Sequence, residues 1–143
     1  MPLSKAVKKY TYADYLKFPN DDRWEIIDGI PYMQSAPTWQ HQSISRELMF
    51  QFAGYLRNSQ CQVFAAPFDL RLHENIEEDE HAATVIQPDI SVICDKSKLK
   101  STGYCGIPAL IIEILSLSTG RMDRLAPNFI FCSPINDSPK RFN

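Results

Sequence analysis

The sequence predicts an α+β fold in which helices flank a mixed β-sheet. A helix-like segment precedes several strand-like segments, hairpin signals recur, and strands do not alternate regularly with helices. The chain has 143 residues and is 44% hydrophobic, which fits one globular domain with a single core.

The N-terminal part predicts a short helix followed by a hairpin. Residues Thr11 to Phe18 carry apolar side chains near helical spacing, with Thr11 as N-cap and Asp14 completing a capping box. Segments 24–27 and 30–33 flank Asp28-Gly29. This is the strand, two-residue turn, strand pattern of a hairpin.

The middle of the chain predicts one long helix. From His41 to about Asn58 apolar residues recur every three or four positions, which is typical of an amphipathic helix packed along one stripe. The residues of this stripe are Ile44, Leu48, Phe52, Tyr55 and Leu56.

Strand-like segments follow this helix. Residues 62–67 and 68–72 are interrupted by Pro67, 85–94 is a strand candidate, and 109–115 is the most apolar strand candidate. The acidic stretch 77–80 is expected to be a solvated loop. Prolines at 127, 134 and 139 cannot sustain a helix, so we expect an irregular tail from about Leu125 onward.

Composition limits the function classes. A net charge of -2 provides no global basic field for nucleic acid, although it does not exclude DNA as substrate. The four cysteines form no C-x-x-C pair, which argues against structural zinc. Neither a signal peptide nor a membrane-spanning stretch is recognisable, so we expect a soluble, reduced, cytoplasmic protein.

Glu113 is the first candidate functional residue. It is the one carboxylate in the apolar run 109–115, and burying an ionised group costs several kcal/mol or more unless a cation or hydrogen-bond donors meet it. A bound metal ion would explain it. The alternative is an ion pair with Arg46 or Arg71.

Asp89 is the second candidate. It follows Pro88 at the start of a strand, so its carboxylate can project from the sheet toward a neighbouring strand. Two carboxylates on adjacent strands suit Mg²⁺, which can lower the pKa of a bound water and neutralise charge on a phosphate. The alternative for Asp89 is an ordinary turn opening.

Several ordered motifs resemble the Uma-type restriction endonuclease family. The resemblance covers roughly Thr11 to Arg124. The matching segments are Thr11-Tyr12, Tyr15-Leu16, Arg23-Trp24-Glu25-Ile26-Ile27-Asp28-Gly29, Met33, Ala36-Pro37, His41, Phe64 to Leu70, Gln87-Pro88-Asp89-Ile90, Gly106-Ile107-Pro108, Ile112 to Thr119, and Asp123.

This resemblance implies a fold and a chemistry. The family belongs to the PD-(D/E)XK superfamily, which has a mixed sheet flanked by helices and cleaves nucleic acid with Mg²⁺ (or Mn²⁺). It implies Asp89 and Glu113 as metal ligands, Glu25 and His41 as accessory site residues, and DNA as substrate. A homodimer is compatible with it, because restriction-type enzymes commonly pair two sites. The alternatives are a salt bridge for Glu25 and a surface or packing role for His41.

The chain departs from the family pattern near its C-terminus. The resemblance implies a lysine four residues after Asp123, where this chain has Pro127. We therefore divide the chain into a restriction-endonuclease-like domain, 1–124, and an irregular tail, 125–143, and expect the family's last helix and strand to be missing. A frame shift or truncation near Leu125 would produce such a tail. Two functions remain open: a metal-dependent endonuclease, impaired by loss of the lysine, or an inactive remnant that binds metal or nucleic acid.

Overall fold

A computed structural model describes residues 7–73, 76–115 and 130–132. Two α-helices, two 3₁₀ turns and ten strands are found there. The helices are α1 (Tyr12–Tyr15) and α2 (Trp39–Tyr55), and the 3₁₀ turns span Ile76–His81 and Lys96–Lys98. The strands are β1 (Arg23–Ile27), β2 (Ile30–Gln34), β3 (Gln62–Ala65), β4 (Leu70–Arg71), β5 (Val85–Ile86), β6 (Ile90–Ile93), β7 (Leu99–Lys100), β8 (Gly103–Cys105), β9 (Leu110–Ile114) and β10 (Ile130–Cys132).

The strands form two sheets. One sheet has the order β2-β1-β5-β4-β8-β7. It is mixed, because β4 and β8 run parallel whereas all its other neighbouring strands are antiparallel. The other has the order β10-β9-β6-β3 and is antiparallel throughout. The predicted α+β class with a mixed sheet is confirmed.

The N-terminal predictions are confirmed. The backbone N–H of Thr11 donates to the Asp14 carboxylate over 3.0 Å at the start of α1. In the hairpin, Asp28 and Gly29 have φ values of 51° and 82°. Positive φ at both central residues is what a type I′ turn requires, and it matches the twist of the flanking strands.

The long helix is present, but its apolar stripe is only partly covered. None of the residues of α2 is fully buried, and within the predicted stripe Tyr55 is 87% exposed. The better-covered part of the molecule lies between the sheets, where Leu70, Ile93 and Tyr104 form a buried cluster. No helix within the described ranges is long and apolar enough to cross a membrane.

The segment predicted as one strand, 85–94, is two strands in different sheets. β5 pairs with β1 and β4, whereas β6 pairs with β3 and β9. Pro88 lies between them, and proline cannot donate a backbone hydrogen bond to a ladder. The chain therefore crosses from one sheet to the other at residues 87–89.

Three further expectations need correction. The acidic stretch contributes to the 3₁₀ turn Ile76–His81 instead of a solvated loop, and Asp79 is half-buried in ion pairs. Cys61 and Cys94 form a disulfide, with Cα atoms 4.0 Å apart, so these thiols are not reduced. The tail is not irregular at Ile130–Cys132, which pairs with β9; the rest of residues 116–143 lies outside the described residues.

Candidate active site

A cavity of about 350 Å³ opens where the chain crosses between the sheets. All four residues predicted from the sequence line it: Glu25, His41, Asp89 and Glu113. Polar residues that the sequence did not single out line it as well, among them Arg23, Gln34 and Gln87.

Asp89 and Glu113 are brought together by strand register. Ile90 lies opposite Ile112 in the antiparallel pair of β6 and β9, so the preceding Asp89 lies opposite Glu113. The backbone N–H of Ile114 donates to Oδ2 of Asp89 over 2.7 Å, which holds this carboxylate against β9. The two acidic side chains therefore line one cavity, and their role as metal ligands stays a prediction.

Glu25 reaches the same cavity from the other sheet. Its Oε1 accepts a hydrogen bond from the backbone N–H of Gln87 (2.7 Å), and its Oε2 accepts one from the Gln34 side chain (2.6 Å). Burial raises the pKa of Glu25, and the charge of Asp89 adds to that rise, although the Gln87 N–H and Arg23 oppose it. Glu25 thus brings a third acidic group to the cavity, and it forms no salt bridge with any described residue.

His41 lies in the first turn of α2, where its backbone N–H donates to the Thr38 hydroxyl over 3.3 Å. Its ring Nε2 lies 3.0 Å from Oδ1 of Asp89. The Asp89 carboxylate is thus held on both sides, by His41 and by the Ile114 N–H. His41 therefore contacts Asp89 at the cavity, and its accessory role stays a prediction.

The pKa of Glu113 departs furthest from its ordinary value among the acidic groups of the cavity. Burial raises the pKa of Glu113 to about 8, with further contributions from the negative charges of Asp89 and Glu25 and from a hydrogen bond with Asp89. Among the described residues, no lysine or arginine nitrogen lies within 4.0 Å of its carboxyl group. Neither of the ion pairs considered above, with Arg46 or Arg71, is formed.

This donor set fits a hard divalent cation. Asp89 and Glu113 lie opposite each other on β6 and β9 and line the same cavity, whereas Glu25 acts on Glu113 through its charge. Mg²⁺ and Mn²⁺ prefer oxygen ligands, and Mg²⁺ usually keeps several waters beside one or two carboxylates. A cation held by this pair would replace the proton that Glu113 otherwise retains.

Arg23 and Gln87 were missed as site residues, although the sequence held a signal for each. Arg23 lies two residues before Glu25 on β1, and residues i and i+2 of a strand share a face. Gln87 directly precedes Pro88-Asp89. Arg23 Nε donates to Gln87 Oε1 over 3.0 Å, a long-range contact that no local pattern predicts.

A second polar cluster, which we call the Arg71 cluster, comprises Arg71, His73, Asp79 and Cys105. The ligand atoms of His73, Asp79 and Cys105 lie within 4.8 Å of one another, close enough to hold an ion. The fully buried Arg71 already supplies a cation there: it donates from Nε to Asp79 (2.7 Å) and from Nη2 to the Cys105 sulfur (3.0 Å). We interpret this cluster as structural.

The chain thus has an α+β fold with a carboxylate cavity lined by residues of both sheets. A solved structure from Anabaena variabilis, described as "a putative nuclease belonging to DUF820", superposes with a TM-score of 0.59 at 20% identity, covering 80% of this chain and 63% of that chain. That similarity establishes the fold.

The family follows from the sequence match. The model of the Uma2 family, described as "Putative restriction endonuclease", matches residues 12–134, and the chain belongs to this family. The match continues ten residues past Arg124, where the recognisable resemblance ended.

One curated relative is an uncharacterized protein of Synechocystis, slr1290. It is 28% identical over 123 residues, which are 85% of this chain and 61% of the relative. The chain thus spans a little over three fifths of the length of both relatives.

Proposed function

We propose that this chain is a nuclease domain that hydrolyses DNA phosphodiester bonds with Mg²⁺ or Mn²⁺ held by Asp89 and Glu113. One observation carries the proposal: two carboxylates from adjacent strands meet in a cavity and have no lysine or arginine partner among the described residues. Family membership supports the nuclease class.

Each acidic side chain of the cavity has a separate role in this proposal. Asp89, oriented by His41 and the Ile114 N–H, presents oxygen ligands in a fixed direction. Glu113 would hold the cation in its ionised form, and the acidic side chain of Glu25 would favour a cation in the cavity. A bound Mg²⁺ supplies a water of lowered pKa and neutralises charge on the phosphate.

Plasmid nicking tests this proposal. The purified chain should nick supercoiled plasmid with Mg²⁺ or Mn²⁺ and not with EDTA, and Asp89→Ala and Glu113→Ala should each abolish nicking. Glu47→Ala is the matched control, because Glu47 is an exposed carboxylate of α2 outside the cavity. Nicking that survives both active-site substitutions would refute the assignment.

A second function is favoured by the lining of the cavity as far as the structure describes it. No lysine lines the cavity within the described part of the chain, and Pro127 stands where the family resemblance implies one. The alternative is therefore a domain that binds metal or nucleic acid without turnover. Ion binding lost in Glu113→Ala, without nicking by the wild type, would decide for it, and grafting a lysine-bearing C-terminal helix should then restore nicking.

Three other expectations stay predictions. These are the cytoplasmic location, the homodimer, and the division between residues 1–124 and 125–143. Size-exclusion chromatography with light scattering, in the presence and absence of Mg²⁺, tests the dimer.

A further inference from the structure

Arg23 shares the cavity with the carboxylates but forms no close ion pair with them in the described part of the chain. It lies two residues before Glu25 on β1, so both side chains project from one face of the strand into the cavity. Among the described residues, no carboxylate oxygen lies within 4.0 Å of its guanidinium. It is also the one lysine or arginine that lines the cavity there.

The guanidinium of Arg23 is held at one end. Its Nε donates to Gln87 Oε1 over 3.0 Å. The Gln87 amide is itself anchored, because its Nε2 donates to the Tyr15 hydroxyl (3.0 Å) and to Asp69 Oδ1 (2.7 Å). Its backbone N–H, in turn, binds Glu25. Gln87 thus fixes the position of Arg23 relative to the carboxylate site.

Among the described residues, the other end of the guanidinium has no protein acceptor. Neither Nη1 nor Nη2 of Arg23 donates to a protein group within the described ranges, since the Nε contact with Gln87 is its one side-chain hydrogen bond there. Arg71 is the opposite case, because its Nε, Nη1 and Nη2 all donate to protein acceptors. The guanidinium nitrogens of Arg71 are therefore all occupied by protein acceptors. In Arg23, Nη1 and Nη2 have no acceptor among the described residues and can donate to a ligand.

We propose that Arg23 binds a phosphate oxygen of the DNA substrate beside the Asp89–Glu113 pair, and that Gln87 positions it. The inference rests on the proposed function and names the residue that would hold the substrate's backbone. A guanidinium presents paired N–H donors that match phosphate oxygens. The cavity would then hold a divalent cation and the phosphate it acts on side by side.

Two separate measurements test the proposal on the full chain. Mn²⁺ binding is measured by calorimetry without DNA. Binding of a short fluorescently labelled DNA duplex is measured by anisotropy over a series of salt concentrations, with Ca²⁺ replacing the two cations proposed to support cleavage so that the duplex stays intact. The variants are Arg23→Ala, Arg23→Lys and Gln87→Ala. Arg57→Ala is the control, because Arg57 is exposed near the far end of α2 and outside the cavity. Circular dichroism confirms that each variant is folded.

The DNA affinities and salt slopes of the variants distinguish the charge of Arg23 from its position. Arg23→Ala should bind Mn²⁺ at least as tightly as the wild type but bind DNA about tenfold more weakly, and the slope of log K against log salt should fall by about one. Arg23→Lys should keep the slope and recover part of the affinity. Gln87→Ala should weaken DNA binding by a few fold without changing the slope, and Arg57→Ala should change neither quantity.

The outcomes distinguish this inference from the proposed function. Wild-type affinity and slope in folded Arg23→Ala, with Mn²⁺ binding intact, would overturn the role of Arg23 and leave the metal site standing. Absence of Mn²⁺ binding by the wild type would instead refute the metal-dependent function. Absence of DNA binding by the wild type would overturn both.

Discussion

The carboxylate cavity and the Arg71 cluster are both polar sites at the sheets, but they handle buried charge in opposite ways. In the Arg71 cluster the acid is compensated: burial disfavours ionisation of Asp79, yet hydrogen bonds from His73, Cys105 and Arg71 outweigh it and hold its pKa below the usual value. In the cavity, burial and neighbouring acids raise the pKa of Glu113 to about 8.

We interpret this difference as separating a cluster that stabilises the fold from a cavity that would serve the proposed function. A buried charge that the protein neutralises itself contributes to a defined native structure, and removing one partner is costly. Acids left uncompensated in an open cavity cost stability, and they are retained where a ligand supplies the missing charge. The comparison predicts stability effects at the Arg71 cluster and ligand effects at the cavity.

The largest expected effect is at Arg71. Arg71→Met removes the cation that faces Asp79 and every hydrogen bond of the fully buried guanidinium, so the free energy of unfolding should fall by about 3 kcal/mol or more. Urea denaturation measures it. A loss below about 1 kcal/mol would remove the structural interpretation of this cluster.

The next effect is ligand-dependent stability at Glu113. In Glu113→Gln the buried charge is gone, so the metal-free protein at pH 8 should be more stable by about 1 kcal/mol or more, since one pKa unit corresponds to about 1.4 kcal/mol. The wild type should gain about 2.7 kcal/mol from Mn²⁺ at a hundredfold excess over its Kd, and Glu113→Gln should gain much less. Melting curves with Mn²⁺ or EDTA measure both, and equal gains in the two proteins would contradict the metal site.

The pH dependence sharpens the contrast. Because the folded-state pKa of Glu113 is raised from 4.5 to about 8, the folded chain binds more protons than the unfolded chain in this window. The contribution of Glu113 to the free energy of unfolding is fully favourable below about pH 4.5 and is lost as the pH rises toward 8. The pH dependence due to Glu113 is the difference in unfolding free energy between the wild type and Glu113→Gln, measured in EDTA at each pH. In a separate titration, the Mn²⁺ affinity of the wild type should rise with pH up to about 8.

The Asp79 side of the comparison has the opposite sign. Its lowered pKa contributes stability above the ordinary pKa of an aspartate, and that contribution is lost as the pH falls below it. The difference between wild type and Asp79→Asn should therefore shrink in acid, whereas the Glu113→Gln difference should grow toward pH 8. Parallel slopes for the two variants would contradict the distinction.

The smallest effect is expected at Lys100. Its Nζ lies 3.7 Å from Oδ2 of Asp79, and the side chain is 40% exposed. Exposed pairs contribute little, so Lys100→Ala should cost less than about 1 kcal/mol. It is the matched control for Arg71→Met, because both substitutions remove a cation that faces the same carboxylate.

The sequence pattern correctly predicted the elements that depend only on neighbouring residues. The capping box at Thr11 and Asp14 and the Asp28-Gly29 turn depend on neighbouring residues only, and both were predicted. Asp89 and Glu113 could be predicted as site candidates because a carboxylate in an apolar strand and a Pro-Asp strand start are visible in the sequence, and the structure places both at one cavity. Residues 85–94 were misassigned, because the pattern of apolar residues does not reveal which sheet a strand joins.

By itself, the sequence determined the α+β class, the hairpin, the long helix, the family and the pair of acidic residues, because these depend on side-chain spacing and short motifs. Only the tertiary structure decided that Gln87 anchors Arg23 and that Cys61 meets Cys94, contacts between residues 64 and 33 positions apart. It also decided that the guanidinium of Arg71 is buried against Asp79. These partners are selected by strand register and sheet crossing, which are properties of the folded chain.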